Sequence, residues 1–433
     1  MNYEQALEFI HGTYRFGSKL GLENIEFLLE LMNNPHEHMK VIHVAGTNGK
    51  GSTCAFISAV LVEQGYRVGL YTSPYLEEFT ERIRINGVDI PKEQLAEMTD
   101  YVRDKVEQMI VIGKNHPTEF EIVTAIGFEY FKRQEIDFLV LEVGLGGRGD
   151  STNVIKNPLV SVITPIDYDH MDYLGDTLAK ISYEKAGIIK ENSLVVSYPQ
   201  QEEAMDVIKR VSQEKNAKLR IVSMEDVEII GQDIHSQSFN VRVLNTDFQN
   251  LSISMVGEHQ IQNATLALTA LIMLAAEHDI RLSREAIYQG LRKANWPGRL
   301  EVMQHSPTVL IDGAHNVHGL RALAKVVDQF FQGKRIILGF GLLADKDVVA
   351  MLDIIVPKID ELVLTEPFNP RALKVEKLAS LIGKYNKPYY SEKDIDKAVS
   401  KALEMAREDD VVVFCGSLYM IGQVRSIMKN NNN

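Results

Sequence analysis

The chain has 433 residues, long enough for two or three domains and too long for one core. Hydrophobic residues make up 45% and charged residues 24%, the composition of an ordinary globular protein, and a net charge of −13 argues against nucleic acid as a partner. The start, Met1 to Gln5, lacks a basic and apolar leader, no apolar run reaches membrane-spanning length, and Cys54 and Cys415 sit singly in apolar stretches. A cytoplasmic protein with reduced thiols is expected, with no membrane partner, disulfide framework or cysteine metal cluster.

In chain order, Ile25 to Met32 reads as a short amphipathic helix. The apolar run Val41-Ile42-His43-Val44 precedes Gly46-Thr47-Asn48-Gly49-Lys50-Gly51-Ser52, and a helical apolar pattern follows through Ala55, Ile57, Ala59, Val60 and Leu61. Strand, glycine loop and helix in that order can curl backbone N–H groups around phosphate. Lys50 adds a point charge and Ser52 a hydroxyl for magnesium. The chain is expected to bind a nucleoside triphosphate. Gly51 stands between Gly49-Lys50 and Ser52, where the common spelling has none, which marks a subclass. An ordinary Asn-Gly turn is the bland alternative, and the flanking strand and helix argue against it.

Arg67 to Thr72 reads as a second strand ending at the Ser73-Pro74 turn. Ile83 to Val88 with Asn86-Gly87 suggests a hairpin, and Lys92 to Met109 a helix. Asp137 to Gly144, Leu159 to Thr164 and Ser193 to Ser197 are apolar runs of the kind buried in parallel sheets. From Val227 to Met255 alternating segments suggest a small antiparallel patch, closed by a helix over Asn263 to Ala276. Asn295 to Arg299 reads as a joint. Thr308 to Asp312, Arg335 to Gly339, Glu361 to Thr365 and Val411 to Cys415 then read as strands of a second α/β domain, and Lys429 to Asn433 as a polar, frayed tail.

Several positions carry chemistry. Glu142 ends a buried strand, where a carboxylate needs a cation or donors; it holds magnesium or caps Gly144-Leu145-Gly146-Gly147. Asp167 to Asp172 is dense in ligand types, and on chemistry alone His170 suits hydrogen bonding or proton transfer better than magnesium. Thr152-Asn153 lines the same crevice or forms a turn. Lys185 is either an ordinary surface pair with Glu184 or a cation aimed at phosphate, Gly187 reads as a helix cap, and Lys190 as a solvated lysine. Asp312-Gly313-Ala314-His315-Asn316 and Gly416-Ser417-Leu418-Tyr419 both follow strands, at a domain edge where interdomain sites form.

Together these motifs closely resemble the folylpolyglutamate synthases and bifunctional dihydrofolate/folylpolyglutamate synthases of the Mur ligase superfamily. The matching stretches are residues 43–52, Tyr-Thr-Ser-Pro-Tyr at 71–75, Phe-Thr-Glu-Arg-Ile at 79–83, Thr-Glu-Phe-Glu at 118–121 and Glu-Val-Gly-Leu-Gly-Gly-Arg at 142–148. Asp-His-Met-Asp-Tyr-Leu-Gly at 169–175, Glu-Lys-Ala-Gly-Ile-Ile-Lys at 184–190, Trp-Pro-Gly-Arg-Leu-Glu at 296–301, Asp-Gly-Ala-His-Asn at 312–316 and Gly-Ser-Leu-Tyr at 416–419 complete the set. Val317 stands where the family often has proline, and Gly149 where it usually has a larger residue.

The resemblance implies an α/β architecture. A P-loop domain over 1–295 would have a mostly parallel sheet and a small antiparallel patch, and a smaller Rossmann-like glutamate-ligase domain would span 296–433. It implies an ATP-dependent ligase that adds L-glutamate to a reduced folate or dihydropteroate through an acyl phosphate, acting on small molecules as a monomer. Gly46, Thr47, Asn48, Gly49, Lys50, Gly51 and Ser52 would hold ATP with Asn263, Arg299 and Asp312. Ser73, Glu142, His170 and a carbamylated Lys185 would hold magnesium, and His315 and Ser417 would meet glutamate. Lys50, Lys185 and His315 would carry catalysis, and Pro74 to Arg82 would be a specificity loop. The nearest rival is a Mur ligase acting on cell-wall precursors, but only 45 residues precede Gly46, too few for a nucleotide-sugar domain. A P-loop switch protein is a rival of another class, and the Asn-Lys-x-Asp guanine-reading motif is not found.

Overall fold

The structure is a computed structural model that describes residues 1–13, 17 and 20–431. The chain begins with α1 (Tyr3–Gly12), α2 (Glu23–Leu31), β1 (Val41–Ala45), α3 (Lys50–Glu63), β2 (Val68–Tyr71), β3 (Ile83–Ile85), β4 (Val88–Asp89), α4 (Lys92–Val111) and α5 (Glu119–Arg133). It continues with β5 (Phe138–Glu142), β6 (Val160–Ile163), α6 (Met171–Leu174), α7 (Leu178–Ala186), β7 (Leu194–Ser197), α8 (Glu202–Glu214) and β8 (Lys218–Ile221). Next come β9 (Val227–Gln232), β10 (Gln237–Val243), β11 (Thr246–Ile253), α9 (Glu258–His278) and α10 (Arg284–Lys293). The last part is β12 (Glu301–His305), β13 (Thr308–Ile311), α11 (Val317–Phe330), β14 (Ile336–Phe340), α12 (Val348–Ile355), β15 (Glu361–Leu364), α13 (Val375–Ile382), β16 (Tyr389–Ser391), α14 (Ile395–Met405), β17 (Val411–Cys415) and α15 (Leu418–Asn431).

Two compact units result. One comprises Met1–Glu228, Asn240–Leu251 and Gln262–Ala294; the other comprises Ile229–Phe239, Ser252–Ile261 and Asn295–Asn433. The first holds an eight-stranded sheet in the order β4-β3-β2-β5-β1-β6-β7-β8. Its centre is parallel, because β1, β2, β5 and β6 are apolar on both faces and are joined through helices. Only the β2–β3–β4 edge is antiparallel, turned by Asn86 (φ 50°) and Gly87 (φ 78°), the positive pair that a tight hairpin requires.

One apolar cluster packs Ile25, Leu28, Val102, Val106, Ile122 and Ile126 from the helices with Val41, Leu139 and Leu141. Another joins Ile181, Ile188 and Ile208 to Ala45, Ile163 and Val195. Each fully buried aliphatic side chain contributes roughly 1.5–3 kcal/mol relative to exposure. The consequence for function lies in strand order. The carboxyl ends of β2, β5, β1 and β6 sit side by side about 4.8 Å apart, so Ser73, Glu142, Gly46 and Thr164 fall along one edge. That edge is where open parallel sheets bind ligands.

A three-stranded sheet, β11-β10-β9, forms the small patch. The second unit holds a six-stranded sheet in the order β12-β13-β17-β14-β15-β16, antiparallel only at the β12–β13 hairpin. Leu320, Leu323, Met351, Leu352 and Leu378 cover Leu338, Leu362 and Val413 there.

The sequence reading does not include β8, β12 or β16. These are edge strands, and an edge strand half in water need not be apolar: β16 is exposed along its whole length. The expected frayed tail is helical through Asn431, and its last two residues lie outside the described part. Cys54 and Cys415 are buried free thiols. Among the described residues no helix is long and apolar enough to cross a membrane.

Candidate active site

In the first unit the site grows from the end of β1. Gly46 has φ 154°, and a Cβ there would collide with the Thr164 side chain. Gly49 has φ 82°, and its Cβ would run into the carboxamide of Asn263 from α9. Both positions therefore require glycine. Gly49 is also the N-cap of α3 and offers no side-chain acceptor, and no acidic residue stands in the first turn. The backbone donors and the positive end of the helix dipole are left for an anion. The hydroxyl of Thr164 is buried with no hydrogen-bond partner among the described residues. Thr47 pins the loop: its N–H donates to Pro165 O at 2.9 Å, and its hydroxyl donates to Asp167 O at 3.0 Å while accepting from Asp167 N at 3.1 Å.

Lys50 turns back over this loop. Its ammonium donates to Thr47 O at 3.3 Å and lies 4.0 Å from Glu142 Oε1. The other Glu142 oxygen accepts the Ser73 N–H at 3.1 Å, so Ser73, Glu142 and Lys50 form one cluster. Ser73-Pro74 is cis. Among the described residues no three His, Cys, Asp or Glu side chains converge on one point.

Lys185 is no surface lysine. It is 4% exposed, and its ammonium donates to Gly46 O at 2.9 Å. Burial, reinforced by nearby Lys50, brings its pKa down to about 7, against the pull of Asp169 and Asp150. Glu184 pairs instead with Arg148 at 2.8 Å. Gly187 does cap α7, but at φ −61°; what it supplies is space, because its Cβ would strike Arg148. Lys190, expected in solvent, is half-buried; burial takes it down to about 8, and it donates to Asn153 O at 3.2 Å. Thr152 and Asn153 are buried in a turn. His170 is exposed and caps the start of α6 from a left-handed conformation (φ 51°), a strained backbone position for a residue other than glycine.

Sequence reasoning passed over Asp150. It is buried, accepts Leu145 N at 2.7 Å and caps the turn Ser151–Val154. The Asp-Ser-Thr spelling of a cap was the available signal. The unusual Gly149 beside it fits too, since a Cβ would stand 3.1 Å from Leu20 Cβ and 3.2 Å from Gly21 N. In the segment Pro74 to Arg82, the Arg82 guanidinium lies over the Tyr75 and Phe79 rings at 5.3 and 5.2 Å.

In the second unit, pairing of β13 with β17 brings Asp312–His315 beside Ser417; Gly416 N donates to Ala314 O at 2.9 Å. The Asp312 oxygens accept Leu300 N and Ala314 N, each at 2.9 Å, so this carboxylate first of all holds the loop. Arg299 lies where a Gly313 Cβ would point, and Arg425 braces its segment through Glu301 at 2.9 Å. Burial brings His259 down to about 4, and Arg299, His318 and Lys325 add to that effect, while Arg299 also acts on the buried Asp312 carboxylate. His315 Nδ1 is 2.7 Å from Gly313 O; a carbonyl can only accept, so Nδ1 carries a proton. The Ser417 hydroxyl is buried without a partner among the described residues. Val317, in place of proline, is the first residue of α11, where Asn316 supplies the cap by accepting Gly319 N at 2.8 Å.

A glycine loop at the end of a parallel sheet, together with a second α/β unit, fits a Mur-type ATP-dependent ligase. The family model for the Mur ligase middle domain matches residues 44–271, and that for the Mur ligase, glutamate ligase domain matches 298–418. The chain is 38% identical over 432 residues to dihydrofolate synthase/folylpolyglutamate synthase of Bacillus subtilis, covering 99% of both proteins. It is 34% identical to folylpolyglutamate synthase of Lacticaseibacillus casei, again over 99% of both. The solved Mycobacterium tuberculosis folylpolyglutamate synthase, complexed with ADP and AMPPCP, superposes with a TM-score of 0.90 at 31% identity over 99% of both chains. The chain belongs to the folylpolyglutamate synthase/dihydrofolate synthase family of Mur ligases.

Proposed function

We propose that this protein couples ATP cleavage to amide formation between L-glutamate and the carboxylate of a reduced folate, with dihydropteroate as a second acceptor. The observation that carries the reading is the convergence of Lys50, Glu142, Ser73 and Lys185 on a glycine loop with an uncapped helix behind it. A carboxylate is a poor acyl donor because oxide leaves badly. Transfer of the γ-phosphoryl group to it gives an acyl phosphate and ADP, and the glutamate amine then displaces phosphate.

In this reading Gly46 to Ser52 hold the phosphates, and Lys50 offsets the charge of two approaching anions. Asn263, Arg299 and Asp312 contact the nucleotide. Asp312 does so with lone pairs not already engaged by Leu300 and Ala314. Magnesium would be held by Ser73, Glu142, His170 and Lys185, and bound there it would neutralise phosphate charge. Lys185 fits that set only as its carbamate, since an ammonium repels a cation. A buried amine with a pKa of about 7 is neutral often enough to take up carbon dioxide, and the one N–H that a carbamate keeps still serves Gly46 O. His315 and Ser417 receive glutamate: the unengaged Ser417 hydroxyl suits a carboxylate, and the Nδ1 bond to Gly313 O fixes the His315 ring. Residues 1–295 would thus activate the acceptor and 296–433 deliver the amine. The two buried free thiols support a cytoplasmic setting.

The assay is ADP release with glutamate and either tetrahydrofolate or dihydropteroate. Release should require ATP, glutamate and one acceptor together. Activity only with a nucleotide-sugar acceptor would replace this reading with a cell-wall ligase.

A further inference from the structure

His43 lies on β1, three residues before Gly46, and is fully buried. Its Nε2 is 2.9 Å from Thr152 Oγ1. The same hydroxyl is 2.5 Å from Asp150 Oδ1, which also accepts the Thr152 N–H at 3.0 Å. Asp150 Oδ2 takes the N–H of Leu145 at 2.7 Å. These contacts connect the strand feeding the phosphate loop to the turn that follows Glu142.

Counting protons orients the relay. A threonine hydroxyl has one proton to give. Asp150 is buried, and a buried carboxylate is costly without donors, so the proton goes to Asp150. The hydroxyl then accepts from His43, which must carry its proton on Nε2. The other nitrogen points the same way: Nδ1 is buried without a partner among the described residues, and a bare lone pair there costs less than an orphaned N–H. Burial and nearby Lys190 keep the ring neutral, with a pKa down to about 3.

The segment so clamped touches the catalytic groups at both ends. It leaves β5 at Glu142. At Gly147 it presses so closely on α7 that a Cβ would stand 2.9 Å from Lys185 O and 3.1 Å from Lys185 Cα. Arg148 N fastens it by a 2.7 Å bond to Glu184 O. A small shift of Asp150 would therefore change the separation of Glu142 and Lys185.

We propose that His43 is a positioning residue: through Thr152 it fixes the Asp150 carboxylate, and with it the loop that sets Glu142 relative to Lys185. Only the kinetic arm of the test rests on the ligase reading. Thr152→Val removes the hydroxyl at nearly constant volume, and Thr152→Ser keeps it. The valine variant should lose on the order of tenfold in kcat, with the KM for ATP within about twofold, and the serine variant should recover. Nitrogen NMR of the wild type should show His43 as the neutral Nε2–H tautomer from about pH 5 to 9, and Thr152→Val should lose that preference.

A His43 protonated on Nδ1, or one that titrates in that range, overturns the proposal. So does full kcat in Thr152→Val, or parallel loss of kcat, ATP affinity and thermal stability that serine does not restore. Should Thr152→Val fail to fold, the wild-type tautomer and the serine variant decide. A wild type that ligates no glutamate would sink the ligase reading, and the tautomer would still decide the relay.

Discussion

The ammonium of Lys185 donates to the carbonyl oxygen of Gly46 at 2.9 Å, which joins α7 to the first glycine of the phosphate loop. Burial is what lowers this lysine to about 7, and Lys50 adds to it. Only the neutral amine attacks carbon dioxide, so activation by bicarbonate should be full above pH 7 and fade as pH falls through about 7. Lys185→Ala should be weak and partly restored by acetate. The measurement is a carbamate resonance with labelled carbon dioxide, alongside rates in carbon-dioxide-depleted buffer; no resonance and no dependence would refute carbamylation. The same shift has a linkage sign. Between about pH 7 and the ordinary 10.5 the folded chain binds fewer protons here than the unfolded one, so the penalty this buried lysine places on folding fades as pH rises across that window.

The Lys50 ammonium lies 4.0 Å from Glu142 Oε1. Lys50→Ala should raise the barrier by about 3 kcal/mol, roughly a hundredfold in turnover, by analogy with the loss of one preorganised donor. Circular dichroism should stay unchanged, because the side chain lies at the loop and not in the core. Near-normal turnover in folded mutant protein would remove Lys50 from the chemistry.

Gly49→Ala puts a Cβ at φ 82° and into the Asn263 carboxamide. The left-handed conformation alone costs about 1–2 kcal/mol, and Asn263 must move. ATP affinity by calorimetry should drop on the order of tenfold, with a smaller effect on glutamate. Unchanged ATP binding would mean that the loop tolerates the clash by a route the packing does not suggest.

Glycine spacing after an apolar run located the strand–loop–helix unit at Val41–Glu63, and buried parallel strands such as Phe138–Glu142 were readable because both of their faces are apolar. Edge strands β8, β12 and β16 were not readable, because half-exposed residues carry no apolar signal. Lys185 had two readings in the sequence; burial chose between them, and burial depends on contacts distant in sequence, such as that with Gly46. Asp150 and His43 were passed over for a similar reason. The Asp-Ser-Thr spelling marks Asp150 as a cap, but its tie to His43 through Thr152 depends on contacts distant in sequence.

The Nδ1 proton of His315 is committed to Gly313 O, which fixes the ring that the proposed function assigns to glutamate. His315→Ala should raise the KM for glutamate more than that for ATP and lower kcat. Separate titrations of the two substrates decide. Collapse of ATP binding with an untouched glutamate dependence would assign the residue to the nucleotide.

The central claim is that glutamate is joined through an acyl phosphate formed at the Lys50–Glu142 site. It is tested most directly by following heavy oxygen placed in the reacting carboxylate of the folate acceptor. Amide product should appear together with inorganic phosphate that carries one of those oxygens. Amide formed with no label in the phosphate, or ADP released with no amide, would contradict the account.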